Sequence, residues 1–499
     1  MPVETPHSEH ALFAPKWKRC RDCAEGSDAV KHEADLYLPR LTKQDTDEYD
    51  AYRMRALFYG ATGRTIQGLQ GAVFRKDYEV TYPDKLKFQI EDMTANGMQL
   101  KDFARKIVSE QLTVGRVGVL VDADKDTPDR INASIYTAEN IINWRTARVE
   151  GKETLTLVVL REKYSERKND DFSMEVKDQY RVLSFGVAPG STTSVYTQTV
   201  YRKIEGAGQN ASSFQIIPEM TVIPKLRGQA MDRIPFQFIN ADSLSPKCTK
   251  PPLIDLVDVN LSHYRTSADL EHGAHYTALP TAWLAGFNSE GKEFRIGSAT
   301  AWVSNEVGAT AGFLEFKGQG LDALRNLKKD KENVMAVLGA RMLEEQKKAA
   351  EAQGTAELRQ SGESGVLTVI ADTASEGIQS VLRMMAKWAG ATPKDVEDIE
   401  FDLNTDFAVA RMDPRELAAL MQAWQGGAMS QDTFLYNLKK GEILPDGRSV
   451  EEEKDLISVE FPAGGGRLTG DPSVRSNDSG DGLNNDSSAD LSTSADVGG

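Results

Sequence analysis

The sequence is poor in cysteine, because its 499 residues include only Cys20, Cys23 and Cys248. Three thiols cannot form the network of disulfides that stabilises many small secreted proteins. This scarcity favours a protein that works in a reducing compartment.

Long apolar runs are also missing. No stretch approaches the roughly 18 uninterrupted apolar residues that a membrane-spanning helix needs, so we expect no membrane partner. The segment Met1–Ala14 carries Glu4 and Glu9 and has no apolar centre. We therefore expect no secretory signal in it.

Positive charge is in deficit, with 59 Lys and Arg against 75 Asp and Glu and a net charge of −16. Proteins that wrap nucleic acid neutralise its phosphates with clustered Lys and Arg. The charge balance argues against that class. An acidic protein could still handle DNA by repelling it from a wall.

The rest of the composition is ordinary, because 40% hydrophobic and 27% charged residues are typical of soluble globular proteins. The length favours roughly three domains. Helical spacing of apolar residues followed by β-branched runs predicts an α+β fold. In the first half we predict helices over 31–38, 47–69 and 86–113, strands over 116–122 and 131–137, a short helix at Ala138, and an antiparallel meander between 154 and 239.

The second half reads as helices around small β segments. Pro251-Pro252 opens a predicted helix over 253–277, and Gly-punctuated apolar segments follow to Phe316. After Pro462 the chain is Gly, Ser, Asn and Asp, which predicts a disordered tail. Between these points we predict a helix over 321–342, a charged loop over 343–354, a helix over 355–388, a strand over 399–403 and a helical module over 414–457.

Candidate chemistry is sparse. Cys20 and Cys23 have the spacing of half a zinc site, and His272 and His275 are three apart on one predicted helix. A metal-dependent enzyme using these four residues is one alternative. Ordinary buried thiols and packing histidines are favoured over it, and we predict no cofactor and no catalytic residue. The segment Gly60–Thr65 is too short for a phosphate loop and follows a helix where such a loop follows a strand.

One basic cluster stands out, formed by Arg325, Lys328, Lys329 and Lys331. Acidic neighbours at 322, 330 and 332 make it a mixed-charge helix face. The pattern fits a solvated face and a nucleic-acid contact about equally well.

Several segments together resemble a phage-encoded family with a portal-like body, the portal proteins of tailed bacteriophages. Their order along residues 50–457 carries the resemblance more than any single segment. These segments are Tyr52–Tyr59 with Gly60–Leu69 and Gly71–Lys76, Pro251–Leu256 leading to Asn260–Asp269, Val337–Leu343 with Gly354–Glu357 and Ala386–Gly390, and Gly426–Thr433 with Gly441–Pro445.

The resemblance implies a portal fold with a mixed α/β wing, a two-helix stem, a small β-containing clip and a helical crown. Mapped onto this sequence, it implies an N-terminal arm over 1–29, a wing over 30–250, stem helix one over 251–279, a clip over 280–320, stem helix two over 321–340, a channel loop over 341–356, a return to the wing over 357–411, a crown over 412–460 and a disordered acidic tail over 461–499.

It also implies partners and sites. Portal-like subunits assemble into a ring, typically a dodecamer, in the virion after assembly in the host cytoplasm. Implied partners are double-stranded DNA, the terminase large subunit that supplies the ATPase, head-tail connector proteins and the major capsid protein. The residues to which it assigns roles are Glu344, Glu345, Lys347, Lys348 and Glu351 in the channel loop, Arg325, Lys328, Lys329 and Lys331 facing the channel, and Trp283, Phe287, Trp302 and Phe313 docking terminase.

Overall fold

The computed structural model has two compact units, Met1–Ala408 and Val409–Gly499, each described here by itself. Its helices and strands confirm the predicted α+β class. None of the helices within the described residues is long and apolar enough to cross a membrane. The described residues are 2–94, 96–123, 130–149, 151–167, 172–187, 194–203, 213–226, 228–277, 281–287, 302–304, 307–314, 319–342, 365–407, 414–425, 428–440, 443–444 and 448–460.

The first unit begins with six helices. The predicted helix over 47–69 is interrupted, because the chain leaves helical geometry at Ala56 and re-enters only after Gly60. The predicted helix over 86–113 is interrupted around Gly97, whose φ of +86° is a conformation that favours glycine. The helices are α1 (Ser8–Glu25), α2 (Ser27–His32), α3 (Thr46–Arg55), α4 (Ala61–Val73), α5 (Lys87–Glu91) and α6 (Leu100–Val114).

Helix α1 lies in the region expected to be an N-terminal arm, and it is packed into the unit. Trp17 and Cys23 are fully buried, in a cluster that also holds Tyr49 and Tyr52 of α3. Arg21 bonds to Glu110 of α6 at 2.8 Å and to Glu139 at 2.7 Å. Because α1 has a weak apolar pattern, its packing depends on these tertiary partners.

Two antiparallel sheets follow, and the predicted meander is present in the larger one. A three-stranded sheet has the order β11-β2-β3, and a five-stranded sheet has the order β4-β5-β6-β7-β8. Two further pairs, β1 with β14 and β9 with β10, are short. The strands are β1 (Glu79–Thr81), β2 (Arg116–Ala123), β3 (Ile131–Thr137), β4 (Ile141–Val149), β5 (Lys152–Arg167), β6 (Met174–Val187), β7 (Ser194–Lys203), β8 (Phe214–Ile216), β9 (Lys225–Leu226), β10 (Gln229–Ala230) and β11 (Phe236–Asn240).

The remaining elements of the first unit surround its main core. Helix α9 packs against β11 and α6, so its apolar face completes that core. The predicted helix over 355–388 is observed from Val366 onward, and 355–364 lie outside the described residues. These elements are α7 (Ile254–Thr277), β12 (Thr281–Ala285), β13 (Thr310–Leu314), α8 (Gln319–Ala340), α9 (Val366–Ala389), α10 (Pro393–Glu397) and β14 (Glu400–Asp402).

Helix α9 and strand β11 approach closely at Gly377. A Cβ placed there would lie 2.6 Å from Cδ1 and 2.7 Å from Cγ1 of Ile239. We expect Gly377→Ala to lower the free energy of unfolding by about 2 kcal/mol, because overpacking outweighs the gain in helix propensity. The matched change Gly68→Ala on α4, where a Cβ meets nothing within 4 Å, should raise it by about 1 kcal/mol. Urea unfolding of both variants checks the signs, and equal signs would contradict the close approach.

Within its described residues, the second unit contains three helices. Trp424 stacks on Phe434 with ring centroids 4.7 Å apart and planes 8° from parallel, which joins the first helix to the second. Lys454 of the third pairs with Asp432 at 3.0 Å. The helices are α11 (Pro414–Gln425), α12 (Gln431–Lys440) and α13 (Val450–Glu460), and the tail over 461–499 lies outside the described residues.

Candidate functional site

The candidate site is the antiparallel pair α7 and α8 with the hairpin β12–β13 between them in sequence. Helix α7 starts after Pro251-Pro252, which pack against Gly115 so closely that a Cβ there would lie 3.2 Å from Pro251 Cα. Gly115 also has a φ of +80°, so both geometry and space require glycine. The start of α7 is therefore fixed against the end of α6.

Arg116 holds the segment that leads into α7. Its guanidinium donates to the carbonyl of Lys247 at 3.1 Å and to Oδ1 of Asn240 at 3.2 Å. The guanidinium lies over the rings of both Trp144 and Phe238, about 4.5 Å from each ring centroid. Burial lowers the pKa of Arg116 to about 10.

Helix α7 is buried along most of its length. One face carries Leu261 and Tyr264 into the cluster with α1 and α3. At its outer edge, the Tyr52 hydroxyl donates to Asp269 Oδ1 at 2.6 Å and Arg265 Nε donates to the carbonyl of Tyr37 at 3.0 Å. These contacts fix α7 to the body of the unit.

Helix α8 packs mainly on α7. Near its start, Leu321 lies against Gly273, where a Cβ would be only 2.8 Å from Leu321 Cδ2. Near its end, Gly339 lies close to Leu256 and Thr65. Met335 of α8 is buried, and Met342, just past the end of the helix, is buried in the main core. The two ends of the contact are thus close and apolar.

The middle of the contact is polar. His263 Nε2 lies 3.1 Å from Oε1 of Glu332. Lys331 Nζ donates to the Ser262 carbonyl at 3.1 Å and to Thr266 Oγ1 at 2.6 Å. Burial lowers the pKa of His263 and that of Lys331. The sequence did not reveal the His263–Glu332 pair, because 69 residues separate its members and no local motif joins them.

The four basic residues predicted to face a channel do not share one environment. Arg325 is exposed and bonds to Asp322 at 2.8 Å, and Lys329 is exposed. Lys328 is half-buried. Lys331 turns toward α7, where the Ser262 carbonyl and Thr266 Oγ1 supply acceptors.

The hairpin β12–β13 carries the aromatic residues predicted to dock a partner. The strands are antiparallel, with Trp283 opposite Gly312 and Ala282 opposite Phe313. Trp283 and Phe313 are 44% and 54% exposed, and the ring of Trp302 lies 6.3 Å from that of Phe313. Phe287 follows β12 and is half-buried. The hairpin thus presents large apolar side chains to solvent.

The predicted channel loop cannot be located. Its residues Glu344, Glu345, Lys347, Lys348 and Glu351 lie outside the described residues, which stop at Met342 and resume at Gly365. The backbone N–H of Leu367 donates to the carbonyl of Met342 at 3.2 Å. The two ends of the segment therefore meet.

The four residues of the alternative metal site are not brought together. Cys20 and Cys23 are buried in α1, and burial raises the pKa of Cys20 to about 12 and also that of Cys23. Arg19, next to Cys20, pairs with Asp258 of α7 at 3.3 Å. His272 lies fourteen residues farther along α7, or about 21 Å at 1.5 Å per residue. No group of three or more metal-binding side chains occurs within the described ranges.

A protein family described as a domain of unknown function (DUF4055) matches residues 252–389, which contain α7, the hairpin, α8 and α9. No curated protein matches the chain. Among solved structures, it is similar to a chain in the virion of a native gene transfer agent particle, with a TM-score of 0.38 and 12% identity over 84% of this chain and 99% of that one. It is also similar to a chain in the neck of the native particle computed with C12 symmetry, with a TM-score of 0.38 and 10% identity over 82% of this chain and 98% of that one. Among the families compared, the chain is thus similar, through its helix pair and hairpin, to one whose function is not known.

Proposed function

We propose that the chain is the portal subunit of a tailed phage, which forms a ring-shaped channel for DNA packaging and ejection. The observation that carries the proposal is the pair α7 and α8, joined through a hairpin with exposed aromatic residues. This is the order expected of a stem and its clip. The helical second unit, α11 to α13, takes the place of the crown.

The charge balance supports a conduit over a clamp. With a net charge of −16, the chain has no excess of cations with which to hold many phosphates. DNA that must slide is better served by a surface of low phosphate affinity. Exposed Lys329 and Arg325 can supply weak, transient contacts on α8.

The proposed partners follow from this role. A closed ring needs two different complementary surfaces on each subunit, so the first partner is a second copy, and we propose twelve. Terminase large subunit and head-tail connector proteins dock at the hairpin in turn, and the major capsid protein surrounds the ring in the virion. The subunit itself carries no catalytic step, since terminase supplies the energy of packaging.

Electron microscopy of the purified full-length chain tests the proposal. We expect class averages of a ring with a central hole, with rotational symmetry near twelvefold. Particles without a hole would overturn it and favour another minor structural protein of the virion. Stoichiometric zinc in the same preparation, together with hydrolase activity, would favour an enzyme instead.

The hairpin should dock terminase through its aromatic side chains. We expect Trp283→Ser together with Phe313→Ser to weaken capture of the terminase large subunit from the same phage by about 30-fold, the loss typical of one interface hot spot. Val176→Ser is the matched control, because Val176 is 60% exposed on a strand outside the hairpin. Surface-immobilised subunit measures the binding. Equal binding by both variants would exclude the hairpin as the docking site.

A further inference from the structure

The contact between α7 and α8 has an unusual composition for two long helices packed side by side. Helix pairs are normally stabilised by apolar side chains at the centre of the contact, with polar groups at the edges. Here Leu321 lies against Gly273 at one end of the contact and Gly339 lies against Leu256 at the other. The centre holds His263, Lys331 and Glu332.

The α7 side of this centre contains polar groups that the fold leaves without hydrogen bonds. Asn260 and Ser267 are completely buried. Both amide atoms of Asn260 and the hydroxyl of Ser267 have no hydrogen-bond partner in the described part of the chain. Nδ1 of His263 also has no hydrogen-bond partner among the described residues. Burying such groups costs free energy that a hydrogen bond would have recovered. The stretch of α7 within one turn of His263 therefore carries several polar atoms whose hydrogen bonds are not made.

The α8 side is equally weak at this point. The Lys331 ammonium faces α7 and bonds only to a carbonyl and a hydroxyl, and no carboxylate among the described residues pairs with it. A desolvated charge without a counter-ion contributes little net attraction. Glu332 bonds to His263, whose pKa is lowered by burial, so the bond is an ion pair only when that histidine is protonated.

The apolar flank of α8 points elsewhere. Leu327, Val334 and Val337 are 45%, 47% and 50% exposed, although their spacing along the helix places them on one side. The helix therefore directs Lys331 and Glu332 toward α7 in the middle of the contact and leaves this apolar flank in solvent. Among the described side chains of α8, Met335 is the one buried apolar group, so burial of apolar area, the main source of helix docking energy, is small for this helix.

We propose that α8 is a detachable helix, which separates from α7 across this polar centre while α7 stays fixed to the body of the unit. Helix α7 is held by its apolar face and by Tyr52 and Tyr37, none of which involves α8. Opening therefore breaks few contacts outside the pair. In the proposed portal, on which this use rests, it lets one stem helix yield as DNA passes while the other keeps the ring intact.

Hydrogen exchange measured by mass spectrometry tests the proposal on the full-length chain. The monomeric fraction is used, because a neighbouring copy would itself protect α8. We expect amides of 319–340 to exchange at least about tenfold faster than those of 254–277, a difference of about 1.4 kcal/mol. Equal rates in the two helices would overturn the proposal.

A set of variants tests the cause. Replacing the polar centre by His263→Leu, Lys331→Met and Glu332→Leu together should slow exchange of α8 by about tenfold, because apolar side chains of similar size remove unpaired charge. Lys331→Met alone should slow it about threefold. Lys329→Met is the matched control, because it makes the same substitution at an exposed position of α8. It should leave the exchange rate of α8 unchanged.

The outcomes are separable. Unchanged exchange in Lys331→Met would exclude the polar centre as the weak point, even if the triple variant does not fold. A chain that forms no ring would remove the portal proposal but leave the exchange of α8 measurable. If the chain forms a ring but α8 exchanges as slowly as α7 in the monomeric fraction, the portal proposal stands and the proposal of a detachable helix fails.

Discussion

Replacing Arg21 with methionine is expected to lower the free energy of unfolding of the first unit by about 3 kcal/mol. Arg21 bridges Glu110 of α6 and Glu139 ahead of β4, and the side chain of Glu110 is only 3% exposed. Removing one partner of a buried ion pair leaves the other charge desolvated and uncompensated. Urea unfolding followed by circular dichroism measures the loss.

The control is Lys106→Met, which removes the other cation near Glu110. Lys106 is 50% exposed and lies 3.1 Å from Glu110, so its ion pair is screened by solvent and should contribute less than about 1 kcal/mol. A second variant, Arg21→Met with Glu110→Leu, should recover part of the loss, because the 3%-exposed charge of Glu110 is removed while Glu139 stays 23% exposed. A loss of the same size in Lys106→Met would mean that Arg21 has no special role.

The effect of Arg21 should depend on pH. Burial by itself would raise the pKa of Glu139, but the hydrogen bonds from Arg21 outweigh burial and hold that pKa below its ordinary value of 4.5. A depressed carboxyl pKa stabilises the fold above the unfolded pKa and ceases to do so as the pH falls through the folded one. The stability difference between wild type and Arg21→Met should therefore narrow below about pH 4.5. A difference that grows with acid would contradict this assignment.

Replacing Arg116 with alanine is expected to cost about 3–5 kcal/mol, the range for truncating a large, fully buried side chain. Arg116 is 1% exposed and packs its guanidinium over the rings of Trp144 and Phe238, where it also bonds to the chain leading into α7. Thermal and urea unfolding of the full-length chain measure this loss.

The variant Arg116→Met separates packing from charge. Methionine keeps an apolar side chain against the two rings. It also removes a charge that has no carboxylate partner within the described residues. We therefore expect it to lower the free energy of unfolding by less than about 1.5 kcal/mol. Equal losses in the two variants would show that the hydrogen bonds to Asn240 and Lys247 matter more than the packing. In that case the start of α7 depends on Arg116 as a donor.

Much of the fold could be predicted from the sequence, because it depends on local pattern. Apolar spacing gave α7 within one residue at its start, predicted at Leu253 and observed at Ile254. Alternation of β-branched residues gave the strands β5 to β7 and their meander. The breaks at 56–60 and 92–99 were missed, because apolar spacing continues across them while the backbone turns.

The candidate site was predictable in its order along the chain and not in its contacts. Trp283 and Phe313, which the resemblance assigned to a docking surface, are exposed. Lys331 lies on the side of α8 that contacts α7, apart from the exposed Arg325 and Lys329, because four basic residues in seven positions cannot share one side of a helix. Which of them turns inward depends on where α7 supplies acceptors.

The sequence by itself determined the α+β class, the deficit of positive charge and the succession of helix, hairpin and helix between 253 and 342. Each follows from composition or from periodicity, which are local properties. Only the tertiary structure decided that α1 is packed against α3 and α7 and that His263 faces Glu332. It also decided that Cys20 and Cys23 of α1 lie beside Asp258 of α7, far from His272. These facts join residues far apart in the chain, and such pairs are set by packing of the whole unit and leave no periodic signal.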